Sequence, residues 1–249
     1  MLDLIKARIK HGYQAVPNIR KAVMPENFPG FPLLSEAPDK VWSELEALCP
    51  VKAIKEQTLD LGRCSFCGEC QRVFPEVIAF SNFHKTSTTE REQLVLKVGN
   101  SVEKYYQEAI MEDKTISKVL GRSFRLRSVS AGGCAACEME LNASNNVNFD
   151  MGRFGLEMVA SPRHADGLIV TGPVSANMAF ALKKTWEAIP EPKILILAGS
   201  CAISGGIFAE APGLDRSWLA DVNAALYIPG CPIHPLTIIN GILKLLGRE

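Results

Sequence analysis

The stretch KILILAGSCAISGG (193–206) carries an unbroken apolar run, Ile194 to Ala198, that stops at Gly199 and passes into a glycine-rich loop holding Cys201. DGLIVTG (166–172) has the same form, and ALYIPGC (225–231) ends in Gly230 and Cys231. Short apolar runs without polar alternation read as strands covered on both faces, the situation of a parallel sheet. Residues 175–188 between two of these runs have a helical pattern, and PLTIINGILKLLG (235–247) reads as an apolar helix. Strands alternating with helices argue for an α/β, doubly wound parallel sheet. In such sheets ligands bind where loops converge at the carboxyl ends of the strands. Cys201 and Cys231 follow two such ends, and Cys134 and Cys137 follow a further expected strand in GRSFRLRSVS (121–130).

N-terminal to this region the pattern changes, and a boundary is expected near residue 118. Residues 1–38 read as a basic amphipathic helix followed by a Pro-rich strap. Leu2, Ile5, Ile9 and Tyr13 recur at helical spacing, interleaved with Lys6, Arg8 and Lys10. The helix is expected to end near Gly12 or before Pro17, and it suits packing on its own domain, a partner or an anionic membrane surface. PENFPGFPLLSEAP (25–38) holds four prolines and cannot continue a helix. Residues 39–118 read as a small α+β domain, with DKVWSELEAL (39–48) a helix that delivers Cys49. Residues 119–249 form the α/β domain.

Composition narrows the function classes. The chain has 249 residues, 47% of them hydrophobic, an ordinary globular balance. Lys plus Arg and Asp plus Glu each number 27, so the formal charge is zero and binding to nucleic acid by phosphate neutralisation is not expected. No apolar run is long enough for a transmembrane helix, and no signal-peptide pattern opens the chain. The expected location is the cytosol or, as a peripheral part of a complex, the cytoplasmic face of a membrane. The eight cysteines fall in two groups, Cys49, Cys64, Cys67 and Cys70, then Cys134, Cys137, Cys201 and Cys231. In a reducing compartment such grouping points to metal rather than disulfides, and two fours match two four-thiolate sites.

In the first group Cys64, Cys67 and Cys70 form C-x2-C-x2-C, the spacing with which a bacterial ferredoxin wraps an iron–sulfur cube. The fourth position of that run is Phe74, so it offers nothing to a second cluster. Upstream, Cys49-Pro50 keeps the Cys-Pro ending of a stripped second run, and Cys49 is taken as the fourth ligand. A structural zinc site is the competing reading, although zinc ribbons more often use two separated C-x2-C pairs. In the second group C-x2-C alone also suits a redox dithiol, and Cys201 and Cys231 alone suit buried core thiols. Their glycine-flanked loops favour close approach to a bulky ligand. The glycines of 199–206 match neither the phosphate-binding G-x-x-x-x-G-K-[ST] pattern nor G-x-G-x-x-G.

The first half resembles the polyferredoxin-type electron-transfer subunits of membrane-bound [NiFe] hydrogenases and complex I. The resemblance rests on the basic helix, Asn27-Phe28-Pro29-Gly30 and Leu61-Gly62-Arg63-Cys64-x2-Cys67-Gly68-x-Cys70. It departs from them in lacking the cysteines of one cluster. From about Ser128 to Gly247 the chain resembles the small subunit of group-4 energy-converting [NiFe] hydrogenases, as in formate hydrogenlyase-type complexes, and the related 20-kDa (B-type) component of complex I. The matching residues are Gly133-Cys134-x2-Cys137-Glu138, Ser161-Pro162-Arg163-His164-Ala165-Asp166, Thr171-Gly172, Gly199-x-Cys201, Ser204-Gly205-Gly206-Ile207-Phe208 and Ile228-Pro229-Gly230-Cys231-Pro232. The resemblance implies a flavodoxin-like domain with one proximal [4Fe–4S] cluster on Cys134, Cys137, Cys201 and Cys231. With the ferredoxin-like half, the cofactor set is two [4Fe–4S] clusters. Complex I components of this type begin with adjacent cysteines, and the spaced pair here leans toward the hydrogenases.

The implied role is an electron-transfer subunit of a membrane-associated oxidoreductase, with no bond chemistry of its own. The implied partners are a large catalytic subunit of [NiFe]-hydrogenase or complex I 49-kDa type, membrane ion-translocating subunits, and a soluble carrier such as ferredoxin. The alternatives are a complex I-like subunit whose second cluster reduces quinone, a stand-alone carrier, and a zinc-stabilised assembly module. By resemblance Glu138 is a proton-relay candidate, against the plainer reading of an acid at a helix start. Arg163 and His164 are expected to face the second cluster and couple charge or protons to it, against the plainer reading of a strand-start loop. His11, His84 and His234 are read as structural.

Overall fold

A computed structural model describes residues 2–12, 15–111 and 114–248. In the first half, helix α1 (Leu2–His11) is followed by strand β1 (Pro32–Leu34), helix α2 (Asp39–Leu48), strands β2 (Ile54–Lys55) and β3 (Thr58–Asp60), helix α3 (Glu69–Val73) and strand β4 (Ile78–Phe80). Strand β5 (Val95–Lys97) and helices α4 (Val102–Glu108) and α5 (Lys114–Leu120) complete it. The order from β1 to β4 is strand–helix–strand twice over. β1 pairs antiparallel with β4, and β2, β3 and β5 form a second small antiparallel sheet. The Pro-rich strap therefore carries β1 and folds together with the cysteine-bearing segment that follows it. Trp42 and Leu45, three residues apart on α2, are buried with Phe31, Leu61 and Ile78. Each such side chain contributes about 1.5–3 kcal/mol of transfer free energy.

The second half contains β6 (Phe124–Ser130), α6 (Ala136–Ala143), β7 (Leu156–Met158), β8 (Gly167–Thr171), α7 (Ala176–Ala188), β9 (Ile194–Ala198), α8 (Ser200–Ser204), α9 (Ser217–Ala220), β10 (Leu226–Ile228) and α10 (Pro235–Leu245). The strands form one parallel sheet in the order β7–β6–β8–β9–β10. Counted from β6 that order is 2-1-3-4-5, the flavodoxin-like arrangement, whose switch point lies between β6 and β8. All residues of β8 and β9 are buried, as their unbroken apolar runs require. The three runs quoted from the sequence become β8, β9 and β10. Helix α10 is buried at every position except Lys244, which matches a helix apolar all round.

The halves are locked by the polar segment 84–89. Thr88 bridges antiparallel to Tyr227, its N–H donating to the Tyr227 carbonyl at 3.0 Å and its carbonyl accepting from Tyr227 at 2.8 Å. This segment covers the edge that β10 would otherwise expose. Thr237 Oγ1 donates to the His84 carbonyl at 2.8 Å, and the hydrophobic core runs continuously through both halves. By contrast, α1 buries nothing, with Leu2, Leu4, Ile5 and Ile9 all exposed. It ends at His11, close to the expected stop at Gly12, and Tyr13 lies outside the described residues. No helix among the described residues is long and apolar enough to cross a membrane.

Candidate metal centre

The first cysteine group is built locally. Cys49 caps the C-terminus of α2, its N–H donating to the Leu45 carbonyl at 3.1 Å. Cys64 leaves the turn after β3, and Cys70 lies in the first turn of α3. Between them the chain doubles back through Phe66 and Gly68, both with left-handed φ. Main-chain N–H groups aim at the sulfurs, from Ala53 to Cys49 Sγ at 3.2 Å and from Phe66 to Cys64 Sγ at 3.3 Å, with Gln71 serving Cys70. Burial pushes the Cys64 thiol far up, and charge on Cys70, Cys49 and Cys67 pushes it further, a mutual effect of four sulfurs in one neighbourhood. The Cys70 thiol is raised to about 11, mainly by burial.

The second group is built by the sheet. Cys134 and Cys137 follow β6 into α6, Cys201 sits in the first turn of α8 after β9, and Cys231 follows β10. Burial raises Cys137 to about 12, with Cys201 and Cys231 adding to the shift, and raises Cys201 to about 11, with Cys231 and Cys134 adding to it. Cys231 is raised by burial and by Cys134. Main-chain N–H groups of Ile233 and Ile207 serve Cys137 and Cys201. Two glycines make room for the sulfurs. A Cβ on Gly199 (φ +93°) would stand 2.7 Å from Cys137 Sγ, and one on Gly206 (φ +54°) would stand 2.9 Å from Cys201 Sγ.

These donor sets fit soft metal centres. Eight thiols stand in two fours, amide N–H groups point at sulfur, and the raised thiols of Cys64, Cys70, Cys137, Cys201 and Cys231 need a bound cation to become thiolates. Among the described residues no three His, Cys, Asp or Glu side chains gather closely enough to hold a single metal ion. Thiolates around one zinc stand about 3.8 Å apart, from a Zn–S bond of about 2.3 Å in tetrahedral geometry.

The profile of the family described as NADH ubiquinone oxidoreductase, 20 Kd subunit, matches residues 134–245, which span all four cysteines of the second group. The probable membrane-bound hydrogenase subunit mbhJ of Pyrococcus furiosus is 38% identical over 133 residues, covering 53% of this chain and 80% of that protein. The chain belongs to the 20-kDa subunit family. The B-type component of NADH-quinone oxidoreductase from Heliobacterium modesticaldum is 42% identical over 123 residues, covering 47% of this chain and 68% of that one. Formate hydrogenlyase subunit 7 of Escherichia coli is 40% identical over 137 residues, covering 53% and 52% respectively. The chain is thus a subunit of an oxidoreductase complex. The family match leaves residues 1–133, with the first cysteine group, to be read from their own chemistry.

The first group, outside the family match, stands against the second. Phe66, between Cys64 and Cys67 of the first group, lines the same cavity as Gly230 and Cys231 of the second. Ser200, next to Cys201, donates its hydroxyl to the Cys64 carbonyl at 2.6 Å. Glu138 lies at the switch point, where its Oε1 accepts from Ser130 Oγ at 2.5 Å and Thr171 Oγ1 at 2.7 Å, tying the ends of β6 and β8 together. Arg163 and His164 are exposed in a single 3-10 turn that leads into β8. The cysteine loops leave the far ends of the strands, and β8 alone spans about 13 Å from Gly167 to Thr171. The turn thus enters β8 at the end opposite to the one from which the cysteine loops leave the sheet. His84 is buried, and His234 Nδ1 accepts from the Leu236 N–H at 3.2 Å at the start of α10, whereas His11 is exposed.

Two residues at the site carried no sequence signal. Arg216 sends its guanidinium to the carbonyls of Pro173, Cys201, Ala202 and Ile203 at 2.7–3.1 Å, and its charge lowers the Cys201 thiol. Ser200 is the other, lost within a small-residue loop.

Proposed function

We propose that the chain relays electrons between two [4Fe–4S] clusters, one held by Cys49, Cys64, Cys67 and Cys70 and one by Cys134, Cys137, Cys201 and Cys231. Iron–sulfur clusters supply one-electron redox chemistry when bound. The observation that carries the reading is the juxtaposition of the two thiol groups, with Phe66 of the first loop and Cys231 lining one cavity and Ser200 bonded to the Cys64 carbonyl. The repeated strand–helix–strand order of β1 to β4 supports a ferredoxin-like first half. The protein's own contribution is to hold the thiolates, aim N–H groups at their sulfurs, exclude water around Cys64, and place the Arg216 cation beside Cys201. A nearby cation favours the more negative, reduced form of a cluster and so raises its potential.

The relay would meet a large subunit of [NiFe]-hydrogenase type, in a membrane assembly with ion-translocating subunits beneath it, on the cytoplasmic face. The likeness to hydrogenase subunits supports this partner. A soluble carrier such as ferredoxin would exchange electrons at the first site. The test is metal analysis of the complex purified anaerobically in mild detergent. About 8 iron atoms per copy, after subtracting iron of identified partners, is expected. Nickel with a large subunit supports the hydrogenase partner. Iron without nickel moves the partner to the quinone-reducing relatives, and zinc in place of iron refutes the relay.

A further inference from the structure

Ser200 is 2% exposed and, from the helix that holds Cys201, touches the Cys64 and Cys231 loops. Its Oγ stands 2.6 Å from the Cys64 carbonyl oxygen and 3.2 Å from the Gly230 carbonyl oxygen. Its N–H donates to the same Gly230 carbonyl at 3.0 Å. Ser200 is joined to Cys201 by a single peptide bond, and Gly230 in turn precedes Cys231. One hydroxyl thus joins a ligand residue of the first group to the residues flanking two ligands of the second. An alanine in its place would keep the loop's backbone and lose the donor.

We infer that the Ser200 hydroxyl is the positioning group that couples the two thiolate sites, fixing their separation and supplying the bonded route from Cys64 to Cys201. This rests on the two-cluster reading above. One electron crosses per event, leaving the first site oxidised by one and the second reduced by one. No bond is made or broken, and the hydroxyl proton stays on Ser200. The hydrogen bond ends on a carbonyl rather than a sulfur, so its removal acts on coupling more than on either site's potential.

The experiment uses the full complex with both sites loaded. Intramolecular electron transfer is followed after flash reduction, alongside iron content and the midpoint potentials of both sites. Ser200→Ala is expected to retain iron and both potentials while transfer slows several-fold. Ser204→Ala, on the same helix but without a bond to the first group, is expected to transfer at the wild-type rate. Ser200→Thr and Ser200→Val have the same shape and differ in the hydroxyl, so Thr should restore the rate and Val should not. Equal rates in the Thr and Val variants overturn the inference. Loss of iron in every variant lacking the hydroxyl also overturns it, leaving Ser200 a purely structural residue. Wild-type protein with a single loaded site refutes the two-cluster reading itself, a result separate from any behaviour of the variants.

Discussion

The two cysteine groups are made by different means. In the first, three of four thiols lie within seven residues, and the loop's own left-handed turns at Phe66 and Gly68 bring them together. In the second, Cys134, Cys201 and Cys231 lie on loops after three different strands, and only the parallel register of β6, β8, β9 and β10 makes them neighbours. A local motif tolerates distant damage. A sheet-assembled site inherits every error of the sheet, but it gains a fixed frame and a surface that a second module can dock on.

The largest effects should separate the groups outright. Cys64→Ala should remove the first site's iron and leave the second, taking the count from about 8 to about 4. Cys137→Ala should do the reverse. Iron and absorbance of the purified variants check both, and simultaneous loss of both sites would break the comparison. Next comes Gly199→Ala. Its Cβ would crowd Cys137 Sγ at a φ of +93°, so the second site should lose iron while the first keeps it.

Much of this contrast was legible in the sequence. The spacing of Cys64, Cys67 and Cys70 announces its own loop, and the apolar runs that became β8, β9 and β10 announce the sheet. What stayed hidden depends on contacts between residues far apart in the chain. Thr86, Ser87 and Thr88 look like a solvated polar loop, yet they are buried because the segment pairs with the edge of β10. Arg216 and Ser200 gain meaning only when α8 is laid against the loops of Pro173 and Cys64. Arg163 and His164 stand in a separate motif segment at the start of β8, whereas the cysteine loops follow the ends of β6, β9 and β10.

Smaller effects sharpen the comparison. Burial lowers the His84 pKa to about 4, with Lys85 and His234 adding to the shift. The unfolded state then binds the extra proton first as pH falls below about 6.5, so stability is lost between about 6.5 and 4. The loss is on the order of 2–3 kcal/mol. His84→Gln should remove that part of the acid sensitivity, read as a flatter unfolding free energy against pH than in wild type. Such a change would show that the joint between the halves is the acid-labile element. Arg216→Gln should lower the midpoint potential of the second site alone, by on the order of tens of millivolts. Arg216→Lys should keep the potential yet still lose stability, because an ammonium cannot span four carbonyls.

The most direct measurement of the central claim is electron paramagnetic resonance of the fully reduced complex, compared with its Cys64→Ala and Cys137→Ala forms. Two adjacent paramagnetic sites in this chain predict signals broadened or split by mutual interaction, collapsing to one simple signal in either variant. A wild-type spectrum with a single unsplit signal from this chain, unchanged by Cys64→Ala, would contradict the account.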